Sequence, residues 1–282
     1  MSTSFTGEDS LDISLDAGNA NTVEGAPATS ALAEFDLNGG SEALTVDGVS
    51  YTFPLGNATA FIGDNTDGSS LFTTACVYGG PSNTLDDCAN ITAGITGGGV
   101  SVGAAYDFGN GFSTAAGAQF TETGIGTEET NDSVALNLAY SADSYGVSLT
   151  IADTGADHLQ GVYTAFNGYY SFGNSLSISA GFEVGDLDDP VKTQDETEAY
   201  FIGINGEVGP GELGAAMGTY GVMRETGPAG ANVIPERLMY EAYYAYPVND
   251  GMTITPLIYS IEGADAADAD ETGIMVRTSF AF

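Results

Sequence analysis

From Glu271 to the end of the chain, side chains alternate between two characters. Ile274, Val276, Thr278, Phe280 and Phe282 fall on one face of an extended strand, and Gly273, Met275, Arg277, Ser279 and Ala281 on the other, because successive strand side chains point to opposite sides. The same two-faced pattern recurs along the chain. Val100, Val102, Ala104, Tyr106 and Phe108 oppose Ser101, Gly103, Ala105 and Asp107; Val134, Leu136, Leu138 and Tyr140 oppose Ser133, Ala135, Asn137 and Ala139. Further runs begin at Tyr145, Leu176, Tyr200 and Leu238. One face is apolar, and the other is small and polar, which predicts a strand with hydrocarbon on one side and water on the other.

The connections fall into two kinds that alternate. Gly56-Asn57, Gly109-Asn110-Gly111, Ala142-Asp143-Ser144, Gly173-Asn174, Gly209-Pro210-Gly211 and Asn249-Asp250-Gly251 carry the residues that tight hairpin turns require. Between them lie long segments near 64–98, 122–132, 153–160, 186–197, 220–236 and 262–271. Short turns at one end and long loops at the other predict an all-β, transmembrane, up-and-down antiparallel β-barrel. Phe53, Phe108, Phe112, Tyr145, Phe172, Tyr246 and Phe282 cluster near the short turns or the C-terminus, as an interfacial girdle would. Pro256, inside an otherwise regular strand, predicts a bulge or local break. Strands read from Ala43 onward, with Leu11–Ala17, Ala31–Leu37 and a remnant at Ser2–Thr6, sum to about sixteen, with fourteen as the lower count. A barrel of that size encloses an aqueous channel, and the small polar face reads as facing that water.

Composition supports a single barrel domain over 1–282. The 282 residues include 40 Gly, 15 Tyr and 14 Phe but no Trp, with mean hydropathy +0.03, which argues against disorder. No apolar run approaches the length of a membrane-spanning helix, so a membrane-spanning chain of this sequence must close as a barrel. Against 39 acidic residues stand only Lys192, Arg224, Arg237 and Arg277, a formal charge of −35. That balance excludes nucleic acid as a partner, since its binding depends on basic residues.

Candidate chemistry is sparse. Cys76 and Cys88 lie in the longest connection, where a disulfide would constrain the loop of an exported protein. No metal site or cofactor is expected: the only His is His158, and two thiols do not complete a zinc set. Gly99-Val-Ser101-Val-Gly103 matches a hydrolase pattern, but it lies within an alternating strand instead of at a strand-to-helix turn. Asp265, Asp268, Asp270 and Glu271 lack the spacing of a calcium loop. No enzymatic activity is expected. The inner face is the informative one. Asp12, Asp16, Glu34, Asp36, Glu183, Glu207 and Glu241, with Arg237 and Arg277, are the candidate pore-lining residues, and an excess of carboxylates there favours cations.

Two N-terminal stretches, Thr3–Asp9 followed by Leu15–Asn19, resemble the entry to the barrel domain of cyanobacterial outer-membrane porins, a group related to carbohydrate-selective porins and often labelled iron-uptake porins. Tyr51–Gly56 resembles a second segment of that family, and the terminal Phe282 fits it. The resemblance implies a passive channel in the cell outer membrane for ions and small hydrophilic nutrients. The family's usual signal peptide, S-layer-homology domain and coiled-coil spacer have no counterpart in the sequence, and Asp12 and Asp16 stand where the family often has basic residues. The expected partners are outer-membrane lipid, inorganic ions and small hydrophilic solutes, and a homotrimer is an assembly open to such a barrel. The competing reading is a non-conducting barrel that serves as a surface adhesin or receptor through its acidic loops.

Overall fold

The computed structural model describes residues 1–19, 34–35, 37, 43–121, 125, 132–155, 160–173, 175–188, 196–223, 234–263 and 268–281. Among them, fifteen strands form one sheet in chain order, every neighbouring pair antiparallel. They are β1 (Ser2–Thr3), β2 (Ser10–Asp16), β3 (Thr45–Leu55), β4 (Ala58–Asp64), β5 (Val100–Gly109), β6 (Phe112–Phe120), β7 (Ser133–Ser141) and β8 (Tyr145–Thr154). The sheet continues through β9 (Gly161–Ser171), β10 (Ser177–Leu187), β11 (Glu196–Val208), β12 (Gly211–Thr219), β13 (Leu238–Asn249), β14 (Met252–Ile261) and β15 (Glu271–Phe280). Fourteen of these are full strands, and β1 is a two-residue stub.

Alternation along each strand becomes two faces of one wall. On β7, Val134, Leu136 and Leu138 stay 46–50% exposed, whereas Ala135, Asn137 and Ala139 between them are buried. A soluble sandwich would bury the apolar row, because leaving it in water forfeits about 1.5–3 kcal/mol per large side chain. Here the apolar row faces outward, as a hydrocarbon-facing surface must. Aromatic rings gather at the short-turn end in neighbouring pairs: Tyr51 with Phe53, Tyr106 with Phe108, Phe112 with Tyr140, and Tyr170 with Phe172. Phe282, the last member of the expected girdle, lies outside the described residues. The tightest turn, Gly109-Asn110-Gly111, needs three positive φ angles (75°, 55° and 86°), which explains its composition.

Two expectations change and a third is narrowed. Within the strand expected at Ala31–Leu37, Glu34 and Phe35 belong instead to a helical turn that is buried, with Phe35 packed on Tyr259 at 4.7 Å, and residues 31–33 and 36 lie outside the described residues. Among the described residues the strands number fifteen, within the expected fourteen to sixteen. Second, the inner face is not uniformly small and wet. From β11 to β14 it carries Phe201, Met239, Tyr243, Leu257, Tyr259 and Ile261, all buried. Third, of the bulge or local break expected at Pro256, the structure has the break. The β13–β14 ladder lapses between Tyr243↔Leu257 and Tyr246↔Ile254, while Pro256 keeps its place opposite Val276 on β15. A proline has no N–H to give, so pairing is lost on one side only.

Among the described residues no ladder joins the two ends of the sheet; its curl is shown by what it surrounds. Asn65–Gly99, between β4 and β5, lies inside and bonds to side chains from β5 to β15. A flat sheet could not bring strands so distant in order onto one short segment.

An arginine on the outer face separates this arrangement from a soluble one. Leu136→Arg is expected to cost about 2–4 kcal/mol of folding stability in lipid or detergent, as mid-membrane arginines do in other barrels. Reversible denaturant titration in liposomes measures it; a cost near zero would argue that the outer face meets water.

Candidate functional site

The site is the interior, and the Asn65–Gly99 segment shapes it. An extended backbone laid across a sheet needs partners for its N–H groups, since an unpaired buried amide is costly. Here the wall supplies them with short polar side chains. Thr73 N donates to Asn137 Oδ1 of β7 at 3.0 Å, Ala75 N to Ser148 Oγ of β8 at 2.8 Å, and Val77 N to Ser179 Oγ of β10 at 3.1 Å. Alternate amides of an extended chain point the same way, so one edge of residues 73–77 is read by three staves of the barrel.

The return half is held differently. Glu183 of β10, fully buried, accepts from Thr92 N at 2.9 Å and Ala93 N at 2.9 Å. Asn167 of β9 donates its amide to the Cys88 carbonyl at 2.6 Å. Wall glycines set the distance of approach: a Cβ on Gly181 would sit 1.7 Å from the Cys88 oxygen, and one on Gly117 1.9 Å from the Gly68 oxygen. These positions are glycine because another backbone occupies the side-chain space.

A disulfide joins Cys76 to Cys88, with Cα atoms 6.4 Å apart, and inside that ring lies the one-turn helix α1 (Asn83–Asp86). Tyr78 packs against Phe201 at 5.4 Å and Tyr243 at 5.7 Å and donates its hydroxyl to Glu241 Oε1 at 2.8 Å. Burial, then the Glu241 charge, pushes the Tyr78 phenol well above its ordinary range, so it stays a donor at any working pH. Arg277 of β15 donates to the Pro81 carbonyl at 2.5 Å, and Glu34 accepts from Thr84 N at 2.7 Å and Thr84 Oγ1 at 2.8 Å.

What stays open lies on the other side of the segment. A cavity of about 710 Å³ runs between it and the β2–β3 wall, lined by Ser14 and Asp47 of the wall and by Asp67, Asn83, Asp86 and Asp87 of the segment. Burial, and then the neighbouring charges of Asp86 and Asp67, push the Asp87 carboxyl up to about 8. Burial likewise raises Asp67. Carboxylates confined this closely each disfavour the next one's ionisation.

The residues expected along the pore are thus divided. Asp12 lies on the inner face of β2 and accepts from Ser10 Oγ at 2.7 Å, and Asp16 ends that strand at the long-loop end. Glu207 is exposed at the short-turn end, opposite Glu212. Glu34, Glu183 and Glu241 do point inward, but at 4%, 0% and 4% exposure they hold the segment and touch no open water. Arg277 also holds the segment. Arg237 sits at the long-loop end, stacked on Tyr220 and donating to the Glu262 carbonyl at 2.8 Å. Asp36 lies outside the described residues, as do His158 and Asp265. Sequence reasoning missed Asp67, Asp86 and Asp87, because nothing local distinguishes an inward-folded segment from an outer loop. It also missed Asp47, which sits at a register shift of β3 between Val46 and Gly48.

The stretches carrying the porin resemblance meet each other. Asp9 accepts from Ser4 Oγ at 2.5 Å, Thr6 N at 2.8 Å and the Tyr51 hydroxyl at 2.6 Å, and Phe5 packs edge-on to Tyr51 at 6.0 Å. Those hydroxyls, Ser4 before Tyr51, hold the Asp9 carboxyl well below the usual carboxylate range.

No protein-family model matches the sequence, and no curated protein matches it. Solved structures do. OprB of Pseudomonas putida, in a high-pH structure, superposes with TM-score 0.64 at 12% identity, over 97% of this chain and 83% of that one. A mutant of Rh. blastica porin gives 0.59 at 10%, over 100% and 88%. The anion-selective porin from Comamonas acidovorans gives 0.59 at 14%, over 98% and 100%. At such identities the likeness is one of fold, and the fold is the outer-membrane porin barrel.

Two variants test the two anchorages. Gly181→Val should lift the segment off β10 and cost about 1–3 kcal/mol in denaturant titration, as overpacking does; an unchanged midpoint would mean that the backbones are not in contact. Asp9→Asn should lower the thermal midpoint at neutral pH. Because the folded carboxyl is the stronger acid, its stabilisation is complete above the unfolded pKa of about 4 and fades as pH falls below it. The gap between wild type and variant should therefore narrow in acid, and a gap independent of pH would rule out a charge effect.

Proposed function

We propose that this chain is an outer-membrane porin through which inorganic cations and small hydrophilic nutrients diffuse, with cations preferred. The observation that carries the reading is the acid-lined cavity inside a barrel whose outer face is apolar. The open passage is lined by carboxylate, amide and hydroxyl groups, and carboxylates confined in a pore attract cations and repel anions. Asp47 from the wall faces Asp67, Asp86 and Asp87 from the segment, so a permeating ion passes between negative surfaces. The resemblance of Thr3–Asp9 and Tyr51–Gly56 to cyanobacterial porins supports the same reading, and Asp9 with Tyr51 gives those stretches a physical bond at the short-turn mouth.

Reversal potentials across a planar bilayer in a salt gradient test it: cation selectivity is expected, and anion selectivity would overturn the preference. A refolded, inserted protein with no conductance at all would instead favour the adhesin or receptor reading.

The pH dependence is specific. The folded protein keeps the Asp87 proton that the unfolded chain has already lost, so this group withdraws stability as pH rises from about 4 toward the folded value. Across pH 7 to 9, around the value of about 8, Asp87 ionises in the passage and cation selectivity should increase. Asp87→Asn should flatten that rise; a variant that keeps the wild-type profile would assign the titration elsewhere.

A further inference from the structure

The Asn65–Gly99 segment consists of two mechanically distinct parts. Its stem, on either side of the cysteines, is bonded to the wall from β5 to β10: Thr66 to Ser101, Thr73 to Asn137, Thr92 and Ala93 to Glu183. The ring from Cys76 to Cys88 is tied at its two ends to β10 and β9, through Val77 and Cys88, and its span between them carries the contacts to β11, β13 and β15, through Tyr78 and Pro81. It leaves and rejoins the stem at one point, and the disulfide closes that point.

Acidic side chains also gather at the ring. Asp86 and Asp87 lie on it, Glu34 is bonded to it, and Asp67 and Glu183 face it from the stem and from β10. Among the described residues, the base that touches the ring is Arg277. The docking that Tyr78 and Leu85 favour is opposed by this crowding of acids, and covalent closure supports it by limiting the conformations open to the undocked ring.

We propose that the Cys76–Cys88 ring is a redox-released plug: reduction of the disulfide frees it from the β11–β15 wall and opens that half of the lumen, while the stem stays docked. The chemistry balances with a small dithiol entering through the pore. Its thiolate attacks Sγ of Cys76, the half-buried sulfur, and Cys88 leaves as a thiolate. The second thiol of the reagent then displaces Cys76 and closes a cyclic disulfide. Two electrons pass to the protein, and both cysteines take up protons from water.

The experiment uses oxidised, refolded protein inserted in a planar bilayer, with dithiothreitol added afterwards so that folding is not at issue. After reduction, maleimide should label two thiols, one for each cysteine of the pair. Single-channel conductance should rise about twofold as part of the wall is uncovered, and reoxidation with diamide should reverse it. The Cys76→Ser, Cys88→Ser double variant should show the raised conductance without reductant; if it does not refold, the reduced wild type carries the test. Labelled thiols with unchanged conductance would overturn the plug, and so would a disulfide that no reductant reaches.

Conductance as a readout rests on the porin reading, and the two fail differently. An oxidised protein that conducts, with no change on reduction, sinks the plug alone. A protein silent in both states sinks the porin reading, and chymotrypsin then decides the plug: cleavage after Tyr78 or Leu85 only in the reduced state upholds it, and resistance in both states overturns it.

Discussion

A backbone that crosses another backbone inside a membrane protein must find a partner for each polar group, and that requirement organises this molecule. The barrel wall meets it through ladders between neighbouring strands, which pair most of the backbone along their length among the described residues. The Asn65–Gly99 segment crosses the strands instead of joining them, so it cannot enter a ladder. It borrows side chains: Asn137, Ser148 and Ser179 accept its outgoing amides, and Glu183 accepts two on the return. Those four residues are the reason the inner face of β7, β8 and β10 is polar.

The same interior therefore has two chemistries. Where the segment docks, small polar residues, glycines and, toward β15, aromatic rings form a packed and mostly dry interface. Where it does not, Ser14 and Asp47 face it across open space together with its own acids. Glu183 and Asp87 illustrate the division. Both are acids of the interior, but one is spent on two backbone amides and the other borders the passage. A count of inward carboxylates would weigh them equally; their partners show that only the second borders the cavity.

Much of the wall was legible because strand periodicity is a local property. Val134, Leu136 and Leu138 had to share a face whatever the rest of the chain did, and Gly109-Asn110-Gly111 could hardly be anything but a turn. The N-terminal region was harder for a physical reason. Ala31–Leu37 alternates well enough for a strand, but Phe35 is better buried against Tyr259 inside the barrel than exposed on its outside. Alternation reports that a segment has two faces and cannot report which neighbour covers them.

By itself, the order of residues determined that this chain makes two-faced strands, that tight turns lie at one end and long connections at the other, and that its outer surface belongs in hydrocarbon. These follow from contacts between residues close in sequence and from the two-residue period of a strand. Only the folded molecule decided that the longest connection turns inward and that Cys76–Cys88 closes a ring within the barrel. It decided too that Asp67, Asp86 and Asp87 of that connection, with Asp47 of β3, border one cavity. Those outcomes depend on distances between residues far apart in the chain, such as Thr73 with Asn137 or Pro81 with Arg277, which no local pattern encodes.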